Sequence, residues 1–279
     1  MKHKPWRMAL TDLAVTLISL ALGLVLVFPI VYGVLGAFKT AAEFLAVPPR
    51  LLPVSFLNFS NFEAALDIAP FPRFALNSLA VSLMGTAVRL LFAVLAAYAF
   101  AFYDFKGKNA LFFPLLATLM LPADTLLVTN YLTVSRMKLL DTYLGMAITS
   151  FVSASQMFML RQSFRTVPRA LREAAALDGC GDVRFLSTIL LPVSTPILIT
   201  LSAQSFVTLW NAYLWPLLVT NKADMRTIQV GITMLTSPDS SNHPLVLAGV
   251  TLSLLPSFIM FAVLQRSVKI SMLSGSLVG

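Results

Sequence analysis

The sequence predicts an all-α integral membrane protein of six transmembrane helices with both termini cytoplasmic. Three observations carry that expectation. Of 279 residues, 58% are hydrophobic and only 11% charged, and mean hydropathy is +0.84; soluble domains carry about 25% charge. The apolar residues gather into runs long enough to cross a bilayer, which takes about 20 residues of helix. The basic residues cluster at the ends of those runs and favour one side.

Residues 1–12 are polar and basic, with Lys2, Lys4 and Arg7 ahead of Asp12. Leu13 to Phe38 carries no charge. It outruns a signal-peptide core and fits a retained first span at roughly 11–35. The connector from Phe38 to Pro72 holds Pro48, Pro49, Pro53, Pro70 and Pro72, which resist a continuous helix. Within it, Ser60 and Glu63 ahead of Ala64-Ala65-Leu66 predict a capping box that opens a short amphipathic helix along the outer surface. The second span, roughly 73–102, carries Arg89 near its middle. A tight polar turn of Asp104, Lys106, Gly107 and Lys108 follows. The third span, roughly 109–134, holds Pro122 and Asp124 near its middle. Arg89 and Asp124 are expected to pair, because a lone charge at the bilayer centre costs at least about 2.5 kcal/mol.

The fourth span is expected at roughly 142–164 and runs on through Arg161, Arg165 and Arg169, which recur every four residues on one helix face. The uncharged run from Phe185 to Asn221 is too long for one span. Pro192 and Pro196 divide it, leaving a fifth span at roughly 194–218. A polar connector with Ser237-Pro238-Asp239 leads to a sixth span at roughly 244–265, and Arg266 and Lys269 lie in the tail. With six spans, twelve basic residues fall on the side of the termini and seven on the other. That bias places both termini in the cytoplasm. Residues 1–279 read as a single transmembrane domain.

Composition also excludes. The net charge of +8 follows span-end clustering rather than a nucleic-acid surface. One cysteine allows no internal disulfide, and His3 and His243 stand far apart. There is no nucleophile–base pair, no metal-ligand cluster and no P-loop, since Gly107-Lys108 lacks the upstream glycine. The chain reads as no enzyme and as binding no cofactor itself.

The longest polar-bearing stretch of the second half, Pro168 to Pro196, reads as helix, turn, helix. Pro168 suits a first helical position, and Ala170 to Leu177 are good helix formers. Gly179 and Gly181 offer left-handed positions, and Asp182 is expected to cap a second helix from Val183 to Leu191, which Pro192 helps end. Its pattern is Glu173-Ala174-Ala175, three residues, Gly179, nine residues, then Ile189-x-Leu191-Pro192. This resembles the EAA loop of bacterial ABC importer permeases, with Cys180 where alanine is usual. Further stretches match the carbohydrate-uptake branch, in the second permease subunit of maltose and glycerol-3-phosphate type importers. They are Leu121-Pro122, Leu140 to Gly145, Leu160-Arg161-Gln162, Trp210 to Pro216 and Gln265-Arg266.

The resemblance implies a permease in the bacterial cytoplasmic (inner) membrane that moves a sugar, oligosaccharide or polyol phosphate by alternating access. It implies three partners beside membrane lipid: a homologous permease subunit, an ATPase dimer that carries ATP and Mg, and an extracytoplasmic solute-binding protein. Residues 168–192 would be the coupling loop, with Arg172, Glu173, Ala174, Ala175, Asp178, Gly179, Ile189, Leu191 and Pro192 as coupling residues. The residues themselves nominate a solute pathway. Asn211 is a costly amide in lipid unless it faces a cavity. Beside Trp210 and Tyr213 it suits a sugar, and Asn77, Asn130 and Tyr131 are further candidates. The competing class is an ion- or proton-coupled secondary transporter built on Arg89 and Asp124.

Overall fold

Uncharged runs become helices wherever proline and glycine permit. The computed structural model describes residues 6–236 and 242–276, with side chains at 12–122, 125–236, 242–259 and 262, and holds no strand among them. Lys2, Lys4 and Ser237-Pro238-Asp239 lie outside the described residues, as do the side chains of Arg7, Asp124, Arg266 and Lys269. The result is a helical membrane fold. Its residues fall into two compact units: those up to Phe71 with Ile232–Leu255, and Pro72–Gly231 with those from Pro256 onward.

In the first unit, the helix Trp6–Ala37 is so apolar and so bare that none of its most hydrophobic window is buried within the chain. Such a surface is stable against lipid rather than water. The proline-rich connector after it is folded. Lys39 is buried, donates to the Arg50 carbonyl and lies 5.0 Å from the Tyr32 ring centre. The Asn61 amide donates to the carbonyls of Ala37 and Lys39, each at 2.8 Å, which satisfies the end of the first helix. The expected capping box at Ser60 does not form. Phe59 is the cap of Ser60–Ile68, with no side-chain bond, because Asn58 takes both the Ser60 N–H and its hydroxyl. A capping box forms instead at Thr40 and Glu43, where both reciprocal bonds are present.

Phe71–Phe102, in the second unit from Pro72 onward, is one unbroken helix of 32 residues. The helices expected after it are broken, each for a local reason. Lys108–Ala117 starts beyond Gly107, at φ +82°, and gives way at Leu121, which is extended because proline follows it. Leu127–Arg136 resumes the path. Tyr143–Ser150 and Ala154–Thr166 meet at 54°, with Ser153 capping the second piece. Val167 is extended ahead of Pro168, which caps Arg169–Leu177 rather than opening it. Arg169 therefore sits on a different helix from Arg161 and Arg165, and the row of three does not share one face of one helix.

The second half of the loop is helical from Asp182 to Val193, with a π turn at Leu186–Leu190. Pro192 has no N–H to give the preceding turn, and the wider turn re-registers the ladder there. An 81° bend then opens Thr195–Trp210, and Leu214–Val219 follows a break at Asn211–Tyr213. The last helix is His243–Ser276.

Candidate functional site

The stretch 168–193 forms a helical knob whose inner face is packed and whose tip is bare. Ala175, Phe185 and Leu190 join a buried cluster with Phe100, Leu160 and Phe164. At the tip, Leu177 is 89% exposed and Val183 81%. Glu173, Ala174 and Asp178 are exposed beside them. Ile189 and Leu191 are half-buried and Pro192 is exposed. Gly179 sits at φ +73° and closes the first helix. The Cys180 N–H reaches the Ala175 carbonyl at 2.9 Å, and the Gly179 N–H reaches Ala176 at 3.0 Å. Those two bonds define a glycine-dependent helix stop. Gly181, expected to be left-handed as well, has φ −69° and caps the next helix without a side-chain bond. Asp182 is thus the first helical residue, and its carboxylate is free for another task.

That task is to fasten the knob. The Asp182 carboxylate accepts from Tyr103 Oη at 2.6 Å, from Tyr98 Oη at 3.1 Å and from Arg172 Nη2 at 3.1 Å. Arg172 also donates from Nη1 to the Phe102 carbonyl at 2.7 Å, with its guanidinium 5.3 Å from the Phe102 ring and 5.6 Å from that of Tyr103. Both knob helices are therefore tied to the end of Phe71–Phe102. The Tyr103 hydroxyl, then Arg172, hold the Asp182 carboxyl below the usual carboxylate range, and the same bond to Asp182 raises Tyr103. Glu173, by contrast, is in neither ion pair found among the described residues, Lys108–Asp104 and Arg172–Asp182. The single thiol, Cys180, is half-buried and packs against the core cluster.

The solute-pathway candidates separate. Asn77 is fully buried, donates to the carbonyls of Asp224 and Arg226 at 2.8 and 2.9 Å, and accepts from Tyr143 Oη at 2.8 Å. Asp141 accepts the N–H groups of Asn221 and Lys222 at 2.6 and 2.8 Å. Together they pin the 220–228 segment. Trp210 is buried and donates to Ser257 Oγ at 2.9 Å. Tyr131 packs against a second cluster of Val81, Val134 and Met146, and Asn130 is half-buried beside it. Asn211 and Tyr213 stay exposed at the break after Trp210. Asn211 caps its helix through Val207 and accepts from Gln229 Nε2 at 3.2 Å. Gln229 is a residue the sequence did not single out, because a lone amide in a polar connector carries no pattern. Arg89 donates from Nε to the Ser150 carbonyl, at the 54° break where that carbonyl has lost its helical partner.

Comparison with known proteins places this architecture. Residues 89–269 match the family model described as binding-protein-dependent transport system inner membrane component. The chain is 31% identical over 273 residues to the sn-glycerol-3-phosphate transport system permease protein UgpE of Escherichia coli O1:K1 / APEC, covering 95% of this chain and 96% of that one. It is 29% identical over 268 residues to the arabinooligosaccharides transport system permease protein AraQ of Bacillus subtilis (strain 168), covering 95% of each. A solved bacterial ABC transporter that imports the acidic polysaccharide alginate has a chain of the same fold. Its TM-score is 0.80 at 21% identity, covering 95% of this chain and 99% of that one. A helical membrane chain with an exposed, glycine-stopped knob and matches of this extent belongs to the binding-protein-dependent transport system inner membrane components, the permeases of ABC importers.

Proposed function

We propose that this permease carries a sugar, oligosaccharide or polyol phosphate across the cytoplasmic membrane through six spans, with both termini and the knob in the cytoplasm. It works with a homologous permease subunit, an ATPase dimer that holds ATP and Mg, and an extracytoplasmic solute-binding protein. The knob is the coupling element. The observation that carries this reading is its tip: two large aliphatic side chains, Leu177 and Val183, stand 89% and 81% exposed on either side of the Asp178-Gly179 turn. Flanked by Glu173, they offer an apolar pair and a carboxylate to a groove on a partner. The fastening through Asp182 and Arg172 makes the knob move as one with the helix Phe71–Phe102. Closure of the ATPases on ATP draws two such knobs together and turns the cavity outward.

The solute class is supported by the relatives, whose names specify glycerol phosphate, arabinooligosaccharide and alginate transport. Within this chain the exposed Asn211 amide, bonded to half-buried Gln229 and two residues ahead of exposed Tyr213, offers hydroxyl-matching hydrogen bonds and a ring. Asn130 and Tyr131 line up as secondary contacts, while Asn77 and Trp210 hold the framework.

The test is Leu177→Asp in the reconstituted importer. A carboxylate at the centre of an apolar contact is expected to strip the ATPase from the purified permease and end solute-stimulated ATP hydrolysis, with membrane insertion unchanged. Retained ATPase and normal stimulation refute the docking assignment.

A further inference from the structure

Behind the knob lies a cleft of about 740 Å³ lined by Lys108, Arg161, Arg165, Arg169 and Arg172 against Asp104, Glu173 and Asp182. Two of those carboxylates are engaged. Asp182 already accepts three donors, and Asp104 pairs with Lys108 at 3.2 Å. Two arginines are held rigidly. Arg161 donates from Nε to the Phe100 carbonyl at 3.2 Å, with its guanidinium 4.0 Å from the Phe112 ring centre, and its Nη groups remain for a ligand. Arg172 is fixed by Phe102 and Asp182. Arg165 and Arg169 are exposed, and neither is in an ion pair among the described residues. The floor is aromatic: Phe100, Phe102 and Phe185.

We propose that this cleft binds a phosphate-bearing anion through Arg161, Arg165 and Arg169. Several planar forks converging on one volume match the multiple acceptor oxygens of a phosphate better than a single carboxylate, which one arginine satisfies. The volume lies within the usual range for small-molecule sites. An aromatic floor at the end of a long apolar helix suits the glycerol and upper chain of an anionic phospholipid. A soluble phosphate ester would use the same arginines without the floor. The proposal rests on the cleft alone and stands whether or not the knob tip docks an ATPase.

The test uses the complete importer, purified in detergent, and reads binding rather than transport. Native mass spectrometry measures retention of dioleoyl phosphatidylglycerol against dioleoyl phosphatidylcholine, and radiolabelled inorganic phosphate serves the soluble arm. The wild-type complex is expected to retain phosphatidylglycerol selectively, and the double variant R165Q/R169Q to lose that retention by roughly twenty-five-fold, fivefold per cation. R165K/R169K, which keeps both charges without the planar forks, should retain less lipid than wild type and more than R165Q/R169Q, a graded loss that misfolding would not give. Phosphate binding that falls in the double variant, with no lipid selectivity, supports the cleft and assigns it a soluble ligand. Equal retention of both probes by wild type and R165Q/R169Q overturns the proposal. So does release of the ATPase from R165Q/R169Q with lipid and phosphate binding unchanged, since the arginines would then face a partner protein.

Discussion

Replacing Gly179 separates backbone strain from surface contact. The residue sits at φ +73°, and a Cβ built there meets no heavy atom within 4 Å. Steric overlap therefore contributes nothing. The left-handed conformation costs a residue with a side chain about 1–2 kcal/mol, and less for Asp or Asn, which tolerate it. That penalty is local and leaves a membrane protein inserted. Gly179→Asp is thus expected at wild-type levels in the membrane. If the turn lies within a docked surface, however, the new carboxylate is buried without a partner, which costs about 3–5 kcal/mol. Coupled uptake and solute-stimulated ATP hydrolysis then fall more than a hundredfold. Gly179→Asn has the same shape without the charge and an orphaned amide costs about 1–3 kcal/mol, an intermediate loss. Gly181→Asp carries the same charge two residues on, at φ −69° with open space around it, and tests whether charge anywhere in the turn suffices. The assay is uptake into proteoliposomes beside ATP hydrolysis, normalised to inserted protein. Wild-type coupling in Gly179→Asp would show that the turn is not docked, and an insertion failure of Gly179→Asp that Gly179→Asn does not share would show that the charge acts before docking.

Asp182→Asn should loosen the knob, costing about 1 kcal/mol after allowance for its half-exposed position, seen as roughly fivefold faster amide exchange across 182–190; unchanged protection would dismiss the fastening. Because the Asp182 carboxyl is held low and Tyr103 is held high, the wild-type knob keeps this contribution above the ordinary carboxylate value near ~3.9 and loses it only as pH falls through the lowered folded value. Protection should therefore be flat from about pH 5 to 9, and a decline near neutrality would contradict it. Half-buried Cys180 should react slowly with maleimide, whereas Leu177→Cys in a Cys180→Ser background should react fast and crosslink to a cysteine in the ATPase groove; equal rates would misplace the tip. Arg89→Leu orphans the Ser150 carbonyl at a cost of about 1–3 kcal/mol, lowering the melting temperature. Adding Asp124→Leu should not restore it, and full recovery would make Asp124 the true partner.

What the sequence made legible was chemistry carried by local pattern. The knob announced itself through Glu173, Gly179 and Pro192, because a glycine stop and a proline act within a turn of their own position. Apolar runs announced the helices for the same reason. What stayed hidden depends on partners distant in sequence. Asp182 reads as a helix cap until Tyr98 and Tyr103 arrive from another helix. Asn77 reads as an amide in lipid until two carbonyls from the 220s satisfy it. Arg89 invites a carboxylate, and the sequence carries no sign that its Nε also reaches the Ser150 carbonyl at a helix break. At Ser60 the local rule itself was outcompeted, since Asn58 stood two residues away with the shorter reach.

In the proposed coupling, the 81° bend at Ser194 sets how the knob's displacement is converted. The arm Asp182–Val193 and the helix Thr195–Trp210 meet nearly at a right angle, so together they form a bell crank. The arm is twelve residues long, about 18 Å at 1.5 Å per residue. A pull on its tip across the arm would become a tilt of Thr195–Trp210, with about 3 Å of tip travel for each 10° of rotation about the elbow. Stiffness in the arm decides how much of that travel arrives, and its weakest point is the π turn at Leu186–Leu190, midway between tip and elbow. A substitution that straightens this turn changes the stroke without touching either the tip or the solute path.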